Sequence, residues 1–345
     1  MAAKMVTIAE VAKLAGVSLG TVSRVINSRG GEIKISEKTR EKVLQAAAAL
    51  GYTPNPFASA LRSKKTGIIG AVIRDINEPF LRKIIRDIQK ECHARGLEIL
   101  IGHAGYELST AERQMNMMMQ HLFDGVFIVG NLPGDEKLLN QIHERKVPAV
   151  SVTGTSSENI IHVDSDSIHG TRLAMEYLHS LGHRRIAFLG NEDHAGVPDR
   201  LRTYGEFVQR HDLHCPPEYI RRAIRSSGEA IVGAMDLMRL PQPPTAILCT
   251  SDTLALGAMS GVWQLGLQVP RDISIMGYDD IDEGRDSFPS LTTVRQPTDV
   301  MAREAMSLLA GLIESSPEGD ERALGASVEP ELIVRASCTP PESGD

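Results

Sequence analysis

The sequence predicts two kinds of fold in one chain: a small all-α helix-turn-helix domain, then an α/β core of two parallel-sheet lobes. Three observations predict it. Apolar residues recur at helical spacing through residues 7–50. From Thr66 onward, short apolar runs alternate with amphipathic helices, in two successive series. The charge is also divided. Of 345 residues, the first 65 carry 11 Lys/Arg against 4 Asp/Glu, a charge of +7, and the remaining 280 carry 26 against 40, a charge of −14. A basic module joined to an acidic globular region is the electrostatic footprint of a nucleic-acid binder. The hydrophobic fraction of 42% fills real cores, and with aromatics at 4% aliphatic residues and Met must do the filling.

The first element is TIAEVAKLAG, residues 7–16. Thr7 and Glu10 stand at capping-box spacing, and Ile8, Val11, Ala12 and Ala15 form one apolar face. Gly16 suits the left-handed residue that ends a helix. Ser18 caps a second helix whose inward face is Val22, Val25 and Ile26. Its outward face carries Gly20, Thr21, Arg24 and Asn27, with Leu19 exposed at the start. Small, polar and basic groups beside a helix N-terminus fit the major groove of DNA. A helical pair from any helical domain has the same spacing. Ser36 caps a third helix through Leu50, with Val43, Leu44 and Ala47 inward and Gly51 at its end. Tyr52–Lys65 reads as a linker, with two prolines and a basic end.

The string TIAEVAKLAGVSLGTVSRVIN, continued by TREKVLQAAAALGYTPNPFASALRS, resembles the LacI/GalR family of bacterial transcriptional regulators, and the resemblance runs on through the rest of the chain. It implies a helix-turn-helix DNA-binding domain over residues 1–52 and a hinge helix over 53–65, in which Leu61 wedges into the minor groove beside Arg62. It implies a two-lobed, periplasmic-binding-protein-like core over 66–345 that senses an effector and dimerises. The chain of such a core crosses between lobes three times. The DNA-contacting residues expected are Thr7, Ser18, Leu19, Gly20, Thr21, Ser23, Arg24, Asn27, Leu61 and Arg62. The loop before Ser36 is longer than family members usually have.

In the core, IIGAVI (68–73), LEILIG (97–102), GVFIVG (125–130) and VPAVSVT (147–153) read as buried strands separated by helices over 79–95, 109–121 and 135–145. A second series follows: a helix over 166–181, strand 184–190, helix 199–211, a strand near 219–224, helix 228–239, strand 245–250, helix 252–265 and strand 272–280. The tail returns with a helix over 298–314 and a strand near 327–334.

Ligands of open α/β sheets sit beyond the carboxyl ends of the strands. Those ends carry Asp75, Asn77 and Phe80, then Thr153, then Asn191, His194 and Arg200, then Ser251 and Asp252, then Tyr278, Asp279 and Asp280. Carboxylate, guanidinium and hydroxyl groups facing one aromatic suit a polyhydroxylated ligand, with Phe80 covering an apolar sugar face. The resemblance places Arg200 and Asp279 on the family's ligand-binding arginine and aspartate, and Ser251 on a polar contact. The effector site expected is Phe80, Thr153, His194, Arg200, Ser251 and Asp279. Asn191–Pro198 and Ile231 depart from the family's usual form.

Other classes are set aside. His162, Asp164, Asp166, Asp279, Asp280 and Asp282 lack a spacing that fixes a metal geometry. Neither GxxxxGK[ST] nor HExxH occurs. The four cysteines show no CxxC pair, and no run of 18 apolar residues suggests a membrane span. The expectation is a cytoplasmic, nucleoid-associated repressor without cofactor, not an enzyme. It binds a palindromic operator as a homodimer under control of a sugar or sugar acid. The alternative is a sugar-binding protein of the same fold without specific DNA binding.

Overall fold

The computed structural model describes residues 6–26, 35–52, 65–119, 123–154, 159–314 and 325–342. Asn27, Leu61, Arg62 and the expected hinge helix lie outside the described residues. The chain divides into two compact units, Met1–Thr66 and Gly67–Asp345.

The first unit holds α1 (Ile8–Ala15), α2 (Leu19–Ile26) and α3 (Glu37–Leu50). Val11, Ala12, Val22, Val25, Val43 and Ala46 form its core. Gly16 (φ +68°) and Gly51 (φ +63°) adopt the left-handed conformation that ends α1 and α3. One expectation fails: Leu44 is 47% exposed and Ala46 lies inward instead. Ala46 follows Val43 by three residues and shares its face, whereas Leu44 is turned by about 100° from it.

The second unit has two six-stranded sheets, with strands numbered in chain order. The first contains β1 (Ile68–Ile73), β2 (Glu98–His103), β3 (Gly125–Val129), β4 (Ala149–Val152), β5 (Ile161–Ser165) and β11 (Ala326–Val328). Its order is β11-β5-β4-β3-β1-β2, parallel throughout. The second contains β6 (Ile186–Leu189), β7 (Ile220–Arg221), β8 (Ala246–Cys249), β9 (Ser274–Asp279), β10 (Thr292–Arg295) and β12 (Glu331–Ile333). Its order is β12-β10-β9-β8-β6-β7, and only β12 runs antiparallel. Burial on both faces explains why the central strands read as unbroken apolar runs. LEILIG departs from that pattern. It forms edge strand β2, with Leu100 52% and Ile101 42% exposed, because among the described residues no further strand pairs with its outer side.

Helices α4 (Pro79–Ala94), α5 (Leu108–Met118) and α6 (Asp135–Glu144) cover the first sheet. Helices α7 (Ser167–Ser180), α8 (Val197–Arg210), α9 (Ser227–Met238) and α10 (Asp252–Gln264) cover the second, and α11 (Asp282–Arg285) is a single turn. The tail helix α12 (Thr298–Glu314) returns to the first lobe, where Met301, Met306 and Leu309 pack with Ile84, Ile88 and Val163.

The chain passes between lobes at 165–167, 295–298 and 328–331. The expected strand near 327–334 is in fact two short strands, one in each sheet. Side chains pin these passages. Asp280 accepts from Arg295 Nε (2.8 Å) and from Arg335. Burial alone would raise the Asp280 carboxyl, but those two guanidinium partners hold it below the usual range. Thr298 donates to Asp87 (2.6 Å), and Lys83 donates to the Asp280 carbonyl (2.8 Å).

Candidate functional site: a DNA-facing helix and an inter-lobe cavity

In the first unit, local hydrogen bonds fix where α2 begins. Thr7 N–H donates to the Glu10 carboxylate (2.7 Å), which starts α1. Ser18 Oγ accepts from Thr21 N–H (3.2 Å), and the two hydroxyls lie 2.9 Å apart. Ser18, Leu19, Gly20 and Arg24 are exposed; Thr21 and Ser23 are half-buried. Leu19 is 52% exposed, a large apolar side chain at the open start of α2. A Cβ at Gly20 would meet nothing closer than Ser18 Oγ at 3.8 Å, so the fold itself does not require glycine there. This face offers a backbone that can approach closely, hydroxyls for phosphates and one guanidinium for a base edge. The same segment contains a Gly-x-Ser-x-Gly string, Gly16–Gly20. It lies in a helix-helix turn, not on the strand-to-helix elbow that exposes a nucleophile.

In the second unit, a cavity of about 500 Å³ opens between the lobes. Asn131, Gly154 and, from β5, His162, Asp164 and Ser165 line it from the first lobe; Asp166 and Ser167 from the first crossing; and Glu192–Gly196, Pro198 and Asp199 from the second lobe. The volume lies within the range of small-ligand sites, roughly 300–1,000 Å³. Asn131 Nδ2 donates to the Asp193 carbonyl (2.6 Å) and ties the two walls together. Arg74 pairs with Glu78 and donates to Asn131, which orders the first-lobe wall.

Of the six expected effector residues, His194 lines this cavity. Burial, then the nearby Arg74 and Arg200 guanidinium groups, lowers its pKa, so the imidazole is neutral at neutral pH. Thr153 adjoins lining residue Gly154, sits at φ +54°, and its buried hydroxyl has no hydrogen-bond partner among the described residues. A non-glycine residue held in that conformation is strained, and such strain clusters at ligand sites. Asp279, at φ +116°, is a second case at the facing strand end.

Arg200 and Asp279 stand behind the cavity wall. Arg200 is 6% exposed; its Nη1 donates to the Thr250 carbonyl (2.7 Å), its Nε donates to Ser167 Oγ (3.4 Å), and its Cζ lies 3.6 Å from the Tyr278 ring centroid. Asp279 is 5% exposed and accepts from Gln296 Nε2 (2.7 Å). Burial raises its carboxyl well above the usual range, against the pull of Arg200. Ser251 caps α10 by accepting from Leu254 N–H (3.3 Å). Phe80 is 6% exposed in the first-lobe core. These two side chains are engaged in structure, and neither lines the cavity.

Sequence reasoning missed Asn131, Gly154, Glu192 and Asp199. Asn131 follows GVFIVG and was open to the strand-end rule. Glu192 and Asp199 lie in the loop whose form departs from the family. Among the described residues, no group of three or more His, Cys, Asp or Glu is placed to hold a metal ion, and no helix is long and apolar enough to cross a membrane.

Comparison with known proteins follows this division. Residues 7–55 match the family described as bacterial regulatory proteins, lacI family, and residues 175–338 match a periplasmic binding protein-like domain. The HTH-type transcriptional repressor CytR of Escherichia coli (strain K12) is 32% identical over 337 residues, which is 96% of each chain. The ribose operon repressor of Haemophilus influenzae (strain ATCC 51907 / DSM 11121 / KW20 / Rd) is 30% identical, over 96% of this chain and 98% of that one. The fold is similar to that of the Lac repressor dimer bound to operator and the anti-inducer ONPF. There the TM-score is 0.84 at 28% identity, covering 97% of this chain and 100% of that one. A CelR–cellobiose complex matches with a TM-score of 0.70 at 28% identity, covering 96% and 99%. CytR, the ribose operon repressor and the Lac repressor are named as repressors, and CelR as a transcriptional regulator.

Proposed function

The chain belongs to the LacI family of bacterial regulatory proteins and is a DNA-binding transcriptional regulator; from that premise we propose how it divides the work. Residues 1–52 read DNA, 53–65 connect, and 66–345 sense a small polar metabolite and pair two copies. The dimer represses by binding a palindromic operator, whose symmetry matches its own. It acts in the cytoplasm, on nucleoid DNA. In each half-site α2 lies in the major groove: Gly20 permits close approach, Arg24 contacts a guanine edge, and Thr21 and Ser23 hold phosphates.

The effector occupies the inter-lobe cavity, with His194 and Thr153 among its contacts and Arg200 and Asp279 fixing the wall behind. A ligand that draws the lobes together changes how the paired first lobes meet, and so changes operator affinity by linkage.

The observation that carries this reading is the open first turn of α2 beside Gly20, a surface that the packing of the three helices leaves unused. The test is to select operators from random DNA with the full chain. The selected sites should be two-fold symmetric, and ligands that raise the melting temperature should change their affinity. A chain that selects no sequence is only a binding module of this fold.

A further inference from the structure

The charge lining the cavity carries an inference about its ligand. Asp164, Asp166, Glu192, Asp193 and Asp199 line it, and among the described residues no Lys or Arg does. Three of these carboxylates are answered from outside. Arg222 lies 3.3 Å from Glu192, Arg225 2.9 Å from Asp193 and Arg202 2.9 Å from Asp199, each arginine being more than half exposed. The other two, Asp164 in β5 and Asp166 on the first crossing, differ. Asp164 accepts from Ser165 N–H (2.8 Å) and Asp166 from His169 N–H (2.8 Å), and among the described residues neither has a basic side chain at ion-pair distance. Arg200 and Arg74 stand behind the wall and their charge reaches His194, but neither lines the cavity: Arg200 is engaged by Thr250, Ser167 and Tyr278, and Arg74 by Glu78 and Asn131. Ser165 adds an independent sign of a missing partner: it is 4% exposed, lines the same wall, and its hydroxyl has no hydrogen-bond partner among the described residues.

Resting on the reading of this cavity as the effector site, we propose that its ligand is a polyhydroxylated organic cation, an amine-bearing sugar or polyol in its ammonium form. Burial raises the Asp164 carboxyl above its usual value, and a cation beside it favours the ionised form. An ionised carboxylate only accepts hydrogen bonds, so the ligand must be rich in donors. An ammonium group supplies three, and each hydroxyl supplies one. Inside a partly desolvated cleft the Coulomb interaction is stronger than in water, and here it attracts a cation and repels a carboxylate or phosphate. Among the described residues no group of carboxylates, histidines or cysteines converges as a bare metal ion requires. The neutral His194 serves a hydroxyl as donor or acceptor without adding positive charge. The sugar-acid branch of the expectation from sequence is thereby disfavoured.

The test uses the full chain and matched hexosamine, hexose and hexuronate probes of gluco, galacto and manno configuration, measured by thermal shift and calorimetry. One hexosamine should bind at least about tenfold tighter than its hexose, equivalent to about 1.4 kcal/mol, with no binding of the uronate. Asp164→Asn and Asp166→Asn should each cut that preference below about threefold. The second variant preserves the α7 cap, because Asn caps as well as Asp. Binding of a hexose or uronate as tight as that of its amine, or no shift with any hexosamine, overturns the inference. If a neutral sugar is preferred and both variants alter its affinity, only the charge inference falls. If a probe binds and neither variant alters its affinity, the assignment of the cavity as the effector site falls with it.

Discussion

Replacing Arg200 with Met tests whether this arginine holds the second lobe together as well as backing the ligand wall. Methionine keeps most of the aliphatic stem and removes the guanidinium. Three interactions go with it. The hydrogen bond to the Thr250 carbonyl, at 2.7 Å, is charge-assisted and buried, a type worth about 1.5–3 kcal/mol. The contact with Tyr278, at 3.6 Å, is a desolvated cation–π interaction, worth about 2 kcal/mol. The Ser167 bond, at 3.4 Å, is long and adds little. Against this, the variant no longer buries a guanidinium, which returns part of the sum. A net loss of about 3 kcal/mol is expected, enough to lower the urea midpoint visibly. Arg200→Lys keeps the charge without the planar fork and should fall between. The assay is urea unfolding of the full chain at pH 7, followed by tryptophan fluorescence. The single tryptophan, Trp263, lies at the end of α10 in the same lobe. A loss under about 1 kcal/mol for Met would show that the guanidinium is not a structural tie. Arg200 would then be free to face ligand directly.

Gly20→Ala should leave thermal stability unchanged or slightly raised, because a Cβ there has room and alanine favours helix, yet weaken operator binding in a gel-shift titration; undiminished binding would mean that the backbone does not approach the groove at this point. Arg24→Ala should relax the preference at one base pair in each half-site by about 1–3 kcal/mol, read from selected operator sequences. Asp252 tests a pH dependence: burial raises its carboxyl from 3.8 to about 7, against donors Thr293 and Ile281 N–H. The raised value favours the protonated form in the fold, so this group's contribution is full below the unfolded pKa and is lost as pH rises from about 4 to about 7. Melting temperatures at pH 5 and 7.5 should therefore differ less in Asp252→Asn than in the wild type; identical differences would remove Asp252 as the source. Gly277→Ala should destabilise the second lobe by about 3 kcal/mol or more. Its Cβ would lie 2.1 Å from Asp252 Oδ1 and 2.8 Å from Leu291, and a midpoint within experimental error of wild type would refute that packing.

Much of the architecture was legible because the signals are local and periodic. The capping pair Thr7–Glu10, the stops at Gly16 and Gly51, and the helix over 298–314 each follow from neighbours in the chain. The exposure of β2 was not legible. Glu98–His103 reads like any buried strand, and only strand order puts it on an edge. The split of the 327–334 segment between two sheets was hidden for the same reason. Val328 and Glu331 are close in sequence but pair with strands far away, β5 and β10.

The site divides along a similar line. Strand-end reasoning picks out residues by where the backbone stops, and it singles out Thr153, Arg200 and Asp279, none of which lines the cavity. It says nothing about which way each side chain turns once lobes pack. Arg200 lies on α8, four residues after the helix-preceding Gly196, so it projects into the lobe against Tyr278 rather than into the cleft. Phe80 likewise lies one residue into α4, where helical phase carries it into the core. The carboxylates that line the cavity come instead from the end of β5 with the crossing after it and from the 192–199 segment leading into α8, short stretches with too little periodicity to read. Asp164 and Asp166 were visible as an acidic pair and were set aside because their spacing fits no metal. Their spacing is uninformative for another reason: they face a common cavity with Asp193 and Asp199 from the opposite lobe, and only the crossing chain brings them to it. The specificity of such a cleft is therefore written in pairs of segments that the sequence keeps far apart, while the frame that presents them is written locally.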